Sequence, residues 1–284
     1  IAVYGGETVE PKKYGRVIVS VKPSTGSIAP DYLKQEIVKY MENYIALPNR
    51  IEITDPDYLY TKIDTTVNYS PYETSKTANE IKSAVLTTLI NYNANYLDQF
   101  GADLRYSKLV TAIDDTDTSI ISNQTDFRII KRISPLLNYA TSYEIDVGNV
   151  LYFAGTLNAS EDHITLHGSE YATHVAHATL ISNKFTYNMS DGSATYPFSY
   201  FEDDGKGNID VYTLISNKLV KLETIGTIDY AAGTFSLNNI SLADYTDYVS
   251  IYLRTVAKDI FASSNKIIVI DPTDVSITIN ETQR

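Results

Sequence analysis

The chain of 284 residues contains no cysteine and no tryptophan, and it has 23 Lys and Arg residues against 35 Asp and Glu residues. The absence of cysteine excludes disulfide bonds, thiolate catalysis and cysteine-based metal sites, so the fold must be stabilised by packing alone. The shortage of basic residues gives a formal charge of -12. Tight binding to nucleic acid or to an anionic membrane surface needs clustered Lys and Arg, so we expect neither partner.

Long apolar runs and catalytic motifs are also missing from the sequence. No stretch of about 18 apolar residues exists, and no basic-then-apolar leader opens the chain, so neither a membrane span nor a secretory signal is predicted. Glycine-rich phosphate loops and a Gly-x-Ser-x-Gly elbow are absent. We therefore predict no catalytic residues, no cofactor and no enzymatic activity. Because the chain begins at Ile1 without Met, we interpret it as a fragment of a longer protein.

Tyrosine is the aromatic residue that the chain does contain, with 24 Tyr against eight Phe. The ring is apolar and the hydroxyl requires a partner, so Tyr suits half-buried strands and wet contact surfaces alike. The high Tyr content therefore indicates either strand propensity or an interface, and the sequence leaves both open.

The first half alternates strand and helix patterns. Residues 15–21 form a first strand, a helix runs from Pro30 to before Pro48, and residues 51–53 and 58–69 pair as a hairpin. A capping box at residues 77–80 opens a long helix that ends near Gly101, a short helix follows around residues 106–113, and residues 126–133 form the last strand. This order predicts a ferredoxin-like split β-α-β domain over residues 1–133.

The second half, residues 134–284, has an all-β pattern after Ser134-Pro135, and we expect a sandwich-like domain rather than a barrel. The fold class is thus α+β. Its most legible element is a hairpin over residues 225–242, in which Gly233 supplies the positive φ of the turn. The other candidate strands are residues 143–146, 150–153, 163–167, 176–181, 185–188, 196–201, 209–215, 219–223, 248–254, 266–270 and 275–279.

All four histidines fall in one short segment, as His163, His167, His174 and His177. Imidazoles can bind zinc, and the first two would share one face of a strand. The last two would point to opposite faces, and no His-Glu-x-x-His motif is present. Turn and surface histidines are the favoured interpretation, so these four are metal candidates only and no metal is assigned.

Two acidic segments resemble ion-binding loops. Residues 202–210 have the composition of a calcium loop, but the acids are out of register for an EF-hand, so a hairpin turn is the better interpretation. Residues 114–117 are predicted to form a solvated turn between a helix and a strand.

Four segments carry a family resemblance: residues 4–7 (YGGE), 11–23 (PKKYGRVIVSVKP), 225–237 (IGTIDYAAGTFSL) and 265–272 (NKIIVIDP). With the order of helices and strands in the first half, they resemble the C-terminal portion of baseplate wedge proteins of contractile-tailed bacteriophages, which are related to the baseplate J-like proteins. The resemblance implies a structural subunit that associates with copies of itself as a dimer or ring around the tail tube and contacts other wedge proteins. It also implies a part in the rearrangement that triggers sheath contraction. The implied location is the virion tail baseplate, assembled in the host bacterial cytoplasm.

Two other functions compete with this interpretation. A tail-fibre or receptor-binding module would present tyrosines of the β-domain to surface glycans. A metal-dependent enzyme would use the four histidines. The α+β domain in front favours assembly over adhesion, because adhesins more often show repeats or trimeric fibre patterns.

Overall fold

The protein is represented by a computed structural model that describes residues 1–8, 12–44, 50–153, 178–216, 218–263 and 265–282. In these ranges the fold is mostly β, with strands in two sheets that have no strand in common. We call residues 1–54 the small unit and residues 57–282 the large unit. Among the described residues, no helix is long and apolar enough to cross a membrane.

The small unit is a three-stranded sheet with one helix. Its elements are β1 (Ala2–Gly5), β2 (Arg16–Ser20), α1 (Asp31–Met41) and β3 (Arg50–Thr54). Strand β2 is central, antiparallel to β1 and parallel to β3. Parallel neighbours need a crossover connection, and α1 lies in it. The helix begins after Pro30 as predicted, and none of its residues is fully buried.

The predicted ferredoxin-like sheet is not formed, because the elements assigned to it are divided between the two sheets. The predicted hairpin between residues 51–53 and 58–69 is also wrong. Strand β3 pairs only with β2 among the described residues, whereas β4 (Asp57–Tyr69) pairs with β5 (Ile120–Ile133) and with the last strand. Asp55-Pro56 is thus a link between sheets rather than a hairpin turn.

The large unit contains one extended sheet that joins strands from both halves of the sequence. Its order is β10-β11-β12-β8-β9-β7-β13-β5-β4-β14, and β6 pairs with β12. The predicted division between residues 133 and 134 stays a prediction, and strands on both sides of it are neighbours in this sheet. The remaining strands are β6 (Thr141–Asp146), β7 (Leu180–Ser182), β8 (Phe185–Asn188), β9 (Thr195–Asp203), β10 (Asn208–Ile215), β11 (Lys218–Asp229), β12 (Thr234–Asp244), β13 (Val249–Leu253) and β14 (Lys266–Glu281).

Five of these strands, β8 to β12, form a closed ring. Strand β9 pairs with both β8 and β10, and the path continues through β11 and β12 back to β8. The expected open sandwich is therefore replaced by a closed ring of strands with a sheet extending from it. Closure removes free edges within the ring, which protects its backbone from pairing with other chains.

The hairpin predicted over residues 225–242 is confirmed and lies within the ring, as β11 and β12. Gly233 has a φ of 70°, as expected for its turn. Other predicted strands differ in extent. Residues 219–223 merge with the hairpin into β11, and residues 266–270 and 275–279 merge into β14 with a register shift between them. Residues 150–153 contribute only an isolated bridge at Leu151, and residues 163–167 lie outside the described residues.

Two helices cover the sheet of the large unit, α2 (Ala78–Tyr92) and α3 (Tyr106–Asp114). The predicted capping box opens α2, since Thr77 Oγ1 accepts from the Glu80 amide and Glu80 Oε2 accepts from the Thr77 amide. Four side chains at helical spacing on α2 are buried: Ile81, Val85, Leu89 and Tyr92. A π-helical turn, Asn93–Leu97, ends α2 before Gly101. One core cluster then runs from these helices into the closed ring.

Candidate interaction surfaces

The described residues hold no group of three or more His, Asp or Glu side chains arranged to bind a metal ion. The metal candidates His163, His167, His174 and His177 lie outside the described residues. The candidate sites that the structure does present are surfaces, and the acidic segments are parts of turns.

The calcium-like segment is the turn between β9 and β10, as predicted. Asp204 accepts hydrogen bonds from the amides of Lys206 and Asn208 and from the Asn208 side chain, so the loop itself uses this carboxylate. Asp203 accepts from the Leu180 amide at 2.7 Å and from the Tyr230 hydroxyl at 2.8 Å. Burial raises the pKa of Asp203, against the effect of these hydrogen bonds. The carboxylates of this segment thus bond to the turn itself and to neighbouring parts of the large unit.

The acidic turn at residues 114–117 connects α3 to β5, also as predicted. Asp117 accepts from the side chain and the amide of Ser119 and forms an ion pair of 2.6 Å with Lys76. Together these contacts lower the pKa of Asp117 to about 2, with the Lys76 hydrogen bond as the largest cause. Asp117 thereby ties the turn to the segment that precedes α2.

The tyrosines are divided between the core and the surface of the protein. Tyr69, Tyr187 and Tyr200 are buried in the large unit. The tyrosines of the small unit are mostly on its surface: Tyr32 and Tyr40 on α1 are 67% and 65% exposed, and Tyr44 follows them. The rings of Tyr40 and Tyr44 lie 5.3 Å apart between centroids. We call the exposed large apolar side chains of the small unit the tyrosine surface: Ile1, Val3, Tyr14, Ile28, Tyr32, Tyr40 and Tyr44.

The two units differ sharply in charge. Residues 1–54 contain seven Lys and Arg against six Asp and Glu, which gives a formal charge of +1. The rest of the chain therefore has a formal charge of -13, which brings the total to -12. Net charge of one sign opposes association of like molecules, and the unit that carries the tyrosine surface has almost no net charge. The outer edge of β1 also lacks a strand partner among the described residues, and such edges can pair with another chain.

A second exposed patch lies at one end of the closed ring and was missed by the sequence analysis. Phe198 in β9 is 66% exposed and has a φ of 59°, and Leu214 and Ile215 of the neighbouring strand are also exposed. The pairing of β8 with β9 is irregular at this point, and the Thr213 hydroxyl donates to the carbonyl of Pro197 at 3.0 Å and holds the bulge. A proline inside a strand marks edges and bulges, so Pro197 was the available signal.

A cleft of about 540 Å³ lies between the β7–β8 turn, the segment before β13 and the bend in β14. Arg132 lies at its base, paired with Asp271 at 3.0 Å and Asp274 at 2.6 Å. Its guanidinium is 4.0 Å from the ring centroid of Tyr60 and 5.5 Å from that of Tyr248. Because the guanidinium of Arg132 is already paired with Asp271 and Asp274, the cleft surrounds a cation whose charge is balanced within the protein.

Exposed apolar and tyrosine side chains, which are typical of protein contact surfaces, are the candidate sites that the described residues present. Comparison with known families shows what the chain is similar to. Residues 1–53 match the family model of C-terminal domain I of the baseplate structural protein gp6, and residues 57–132 match that of its C-terminal domain III. The break between the two matches falls at the Asp55-Pro56 link between the small and large units.

A curated relative supports the same assignment. The chain is 22% identical over 121 residues to the baseplate wedge protein gp6 of Enterobacteria phage T4. This match covers 43% of the chain and 18% of the relative. The resemblance predicted from the sequence is thus confirmed over residues 1–53 and 57–132, where the chain is similar to the C-terminal portion of a baseplate wedge protein. The resemblance of residues 225–237 and 265–272 stays a prediction.

Proposed function

We propose that this chain is a structural part of a bacteriophage tail baseplate wedge. The observation that carries the proposal is the pair of consecutive gp6 family matches over residues 1–53 and 57–132. The chain would act in the virion tail baseplate after assembly in the host bacterial cytoplasm. It would have no enzymatic role and no nucleic-acid or membrane partner, in keeping with its charge of -12. The division into domains 1–133 and 134–284 is part of the same proposal.

The finer role that we propose is ring formation around the tail tube, through self-association and through contacts with other wedge proteins. It includes participation in the rearrangement that triggers sheath contraction. The tyrosine surface supports this role, because exposed Tyr is enriched in protein interfaces and this surface belongs to the unit with almost no net charge. Glycan binding, the alternative, uses the same residue type, and the family matches favour assembly.

Sedimentation velocity at increasing protein concentration tests self-association. We expect the parent chain to associate and the double variant Tyr32→Ser, Tyr40→Ser to do so at least about tenfold more weakly, since interface tyrosines often contribute more than about 1 kcal/mol each. The matched control is Tyr72→Ser, which removes a tyrosine that is 76% exposed on the large unit. A parent chain that stays monomeric at high concentration, or equal weakening by the control, would contradict the tyrosine surface as the contact.

Contacts with other wedge proteins are tested separately. Co-purification of the tagged chain with other virion proteins from infected cells is the expected result, and an electron-microscopy map of an intact tail would place the chain. Retention on a glycan array without any virion partner would favour adhesion instead.

A further inference from the structure

The small unit is attached to the large unit by very little structure. The two sheets have no strand in common, and the chain crosses between them after β3 through Asp55-Pro56. The buried hydrophobic residues of the small unit, Ile18, Val19, Val21 and Ala29, are not part of the core cluster that fills the large unit. A unit without common core or sheet is free to take more than one orientation unless other contacts fix it.

Among the described residues, two polar side-chain contacts join the units in addition to the link itself. Lys22 Nζ lies 2.7 Å from Asp98 Oδ2 and donates to the Asp98 carbonyl at 2.8 Å. The Tyr58 hydroxyl donates to the carbonyl of Ser27 at 2.8 Å. Residues 22 and 27 belong to the segment between β2 and α1, and Asp98 follows the π-helical turn that ends α2. The contacts therefore connect one loop of the small unit to two places in the large unit: the end of α2, at Asp98, and the start of β4 next to the link, at Tyr58.

Both ends of the link are fixed within their own units. On the small-unit side, Asp55 pairs with Lys34 of α1 at 2.7 Å. On the large-unit side, Asp57 pairs with the buried Lys131 at 2.5 Å, and its amide donates to the Asn265 carbonyl at 2.9 Å. Any change of orientation is thus concentrated in the backbone of Asp55 and Pro56, and Pro56 has a nearly fixed φ.

We propose that the Lys22–Asp98 ion pair and the Tyr58–Ser27 hydrogen bond form a releasable latch that sets the orientation of the small unit, which pivots about Asp55-Pro56 when the latch opens. The side chains of the ion pair are 25% and 37% exposed, and pairs with this degree of exposure are weak. A partner that binds one orientation better can therefore open the latch with a modest share of its binding energy. The latch is a property of the single chain, so its failure and the failure of the assembly role are separate results.

The absence of cysteine makes the orientation directly measurable. Glu36→Cys on α1 and Lys82→Cys on α2 place one spin label on each unit at exposed positions, and double electron–electron resonance reports the distance between them. We expect one narrow distance in the otherwise parent 284-residue chain. The double variant Lys22→Gln, Tyr58→Phe should lose the single narrow distance and show a broad distribution.

Three comparisons make the result decisive. Lys39→Gln, the control, removes a lysine charge from α1 away from the latch and should keep the narrow distance. The exchange Lys22→Asp with Asp98→Lys should restore the narrow distance that Lys22→Asp alone loses. In about 1 M NaCl, where the screening length falls to about 3 Å, the parent distribution should broaden less than that of the double variant, because salt weakens the Lys22–Asp98 pair and leaves the neutral Tyr58–Ser27 hydrogen bond in place. A broad distribution in the parent at low salt, or a distance equally narrow in parent and latch variants, would overturn the proposal.

Discussion

Gly233 lies against the backbone carbonyl of Asn149: a Cβ at Gly233 would fall far inside the van der Waals radius of that oxygen. The hairpin turn of β11 and β12 is thus seated on the segment that follows β6. The Val147 amide donates to the Gly233 carbonyl at 2.9 Å and adds a hydrogen bond to the same contact. Gly233 is thus required both for the geometry of the turn and for close packing against Asn149.

We predict that Gly233→Ala lowers the free energy of unfolding by more than about 2 kcal/mol, because it combines left-handed backbone strain with a backbone clash. Urea-induced unfolding measures this change. Gly192→Ala is the matched control, since Gly192 has the same φ of 70° and open space where the Cβ would lie. The control should lose only about 1 kcal/mol, the cost of the left-handed strain alone. Equal losses would mean that the contact with Asn149 relaxes freely.

The ion pair of Lys131 with Asp57 gives a second prediction. Lys131 is only 6% exposed, and burial lowers its pKa, which the Asp57 carboxylate partly offsets. Asp57→Asn would leave this ammonium without its nearest carboxylate. We expect a loss of about 2 kcal/mol in the free energy of unfolding, which is less than for a fully buried pair because Asp57 is partly exposed. Adding Lys131→Met should recover most of that loss. Asp64→Asn, on the same strand, serves as the control and should change stability little; an equal loss there would contradict the role of the pair.

Local signals in the sequence were sufficient where a few neighbouring residues determine the structure. The Thr77–Glu80 capping box and the Gly233 turn were both predicted, because caps and tight turns depend on hydrogen bonds and φ values within four or five residues. The acidic turns at residues 114–117 and 202–210 were predicted for the same reason. The family resemblance was likewise carried by short segments.

Long-range pairing was not predictable in this way. Asp55-Pro56 has the composition of a turn, so β3 and β4 were expected to pair, but β4 instead pairs with β14, about 200 residues later in the chain. Closure of β8 to β12 into a ring depends on β9 pairing on both edges, for which the alternating pattern gives no sign. Tyr40 on α1 and Tyr44 in the turn after it recur with helical spacing and yet stay exposed, because the amphipathic Tyr side chain satisfies an apolar pattern without requiring burial.

The acid sensitivity of the fold gives a third prediction, which concerns Asp117. Its pKa is lowered to about 2 by Lys76 and Ser119, so its folded-state pKa lies below its unfolded value. The stability from this carboxylate is present above about pH 4 and is lost as the pH falls towards about 2. Asp117→Asn should therefore lower the free energy of unfolding at pH 7 and flatten its decline between about pH 4 and pH 2. Asp115→Asn, at the exposed neighbouring position, should leave the decline unchanged, and a parent-like decline in Asp117→Asn would contradict the assignment.

The conformation of Phe198 gives the last prediction. A bulky residue with a φ of 59° is strained, and this side chain is 66% exposed, so it recovers little energy by packing. Phe198→Gly should raise the free energy of unfolding by about 1 kcal/mol, because glycine adopts the left-handed region without strain. Tyr196→Gly, in the same strand but without a positive φ, should instead lower it by about 1 kcal/mol, the usual cost of glycine inside a strand. Equal destabilisation by both substitutions in urea would show that the contacts of Phe198 with its neighbours outweigh the backbone strain.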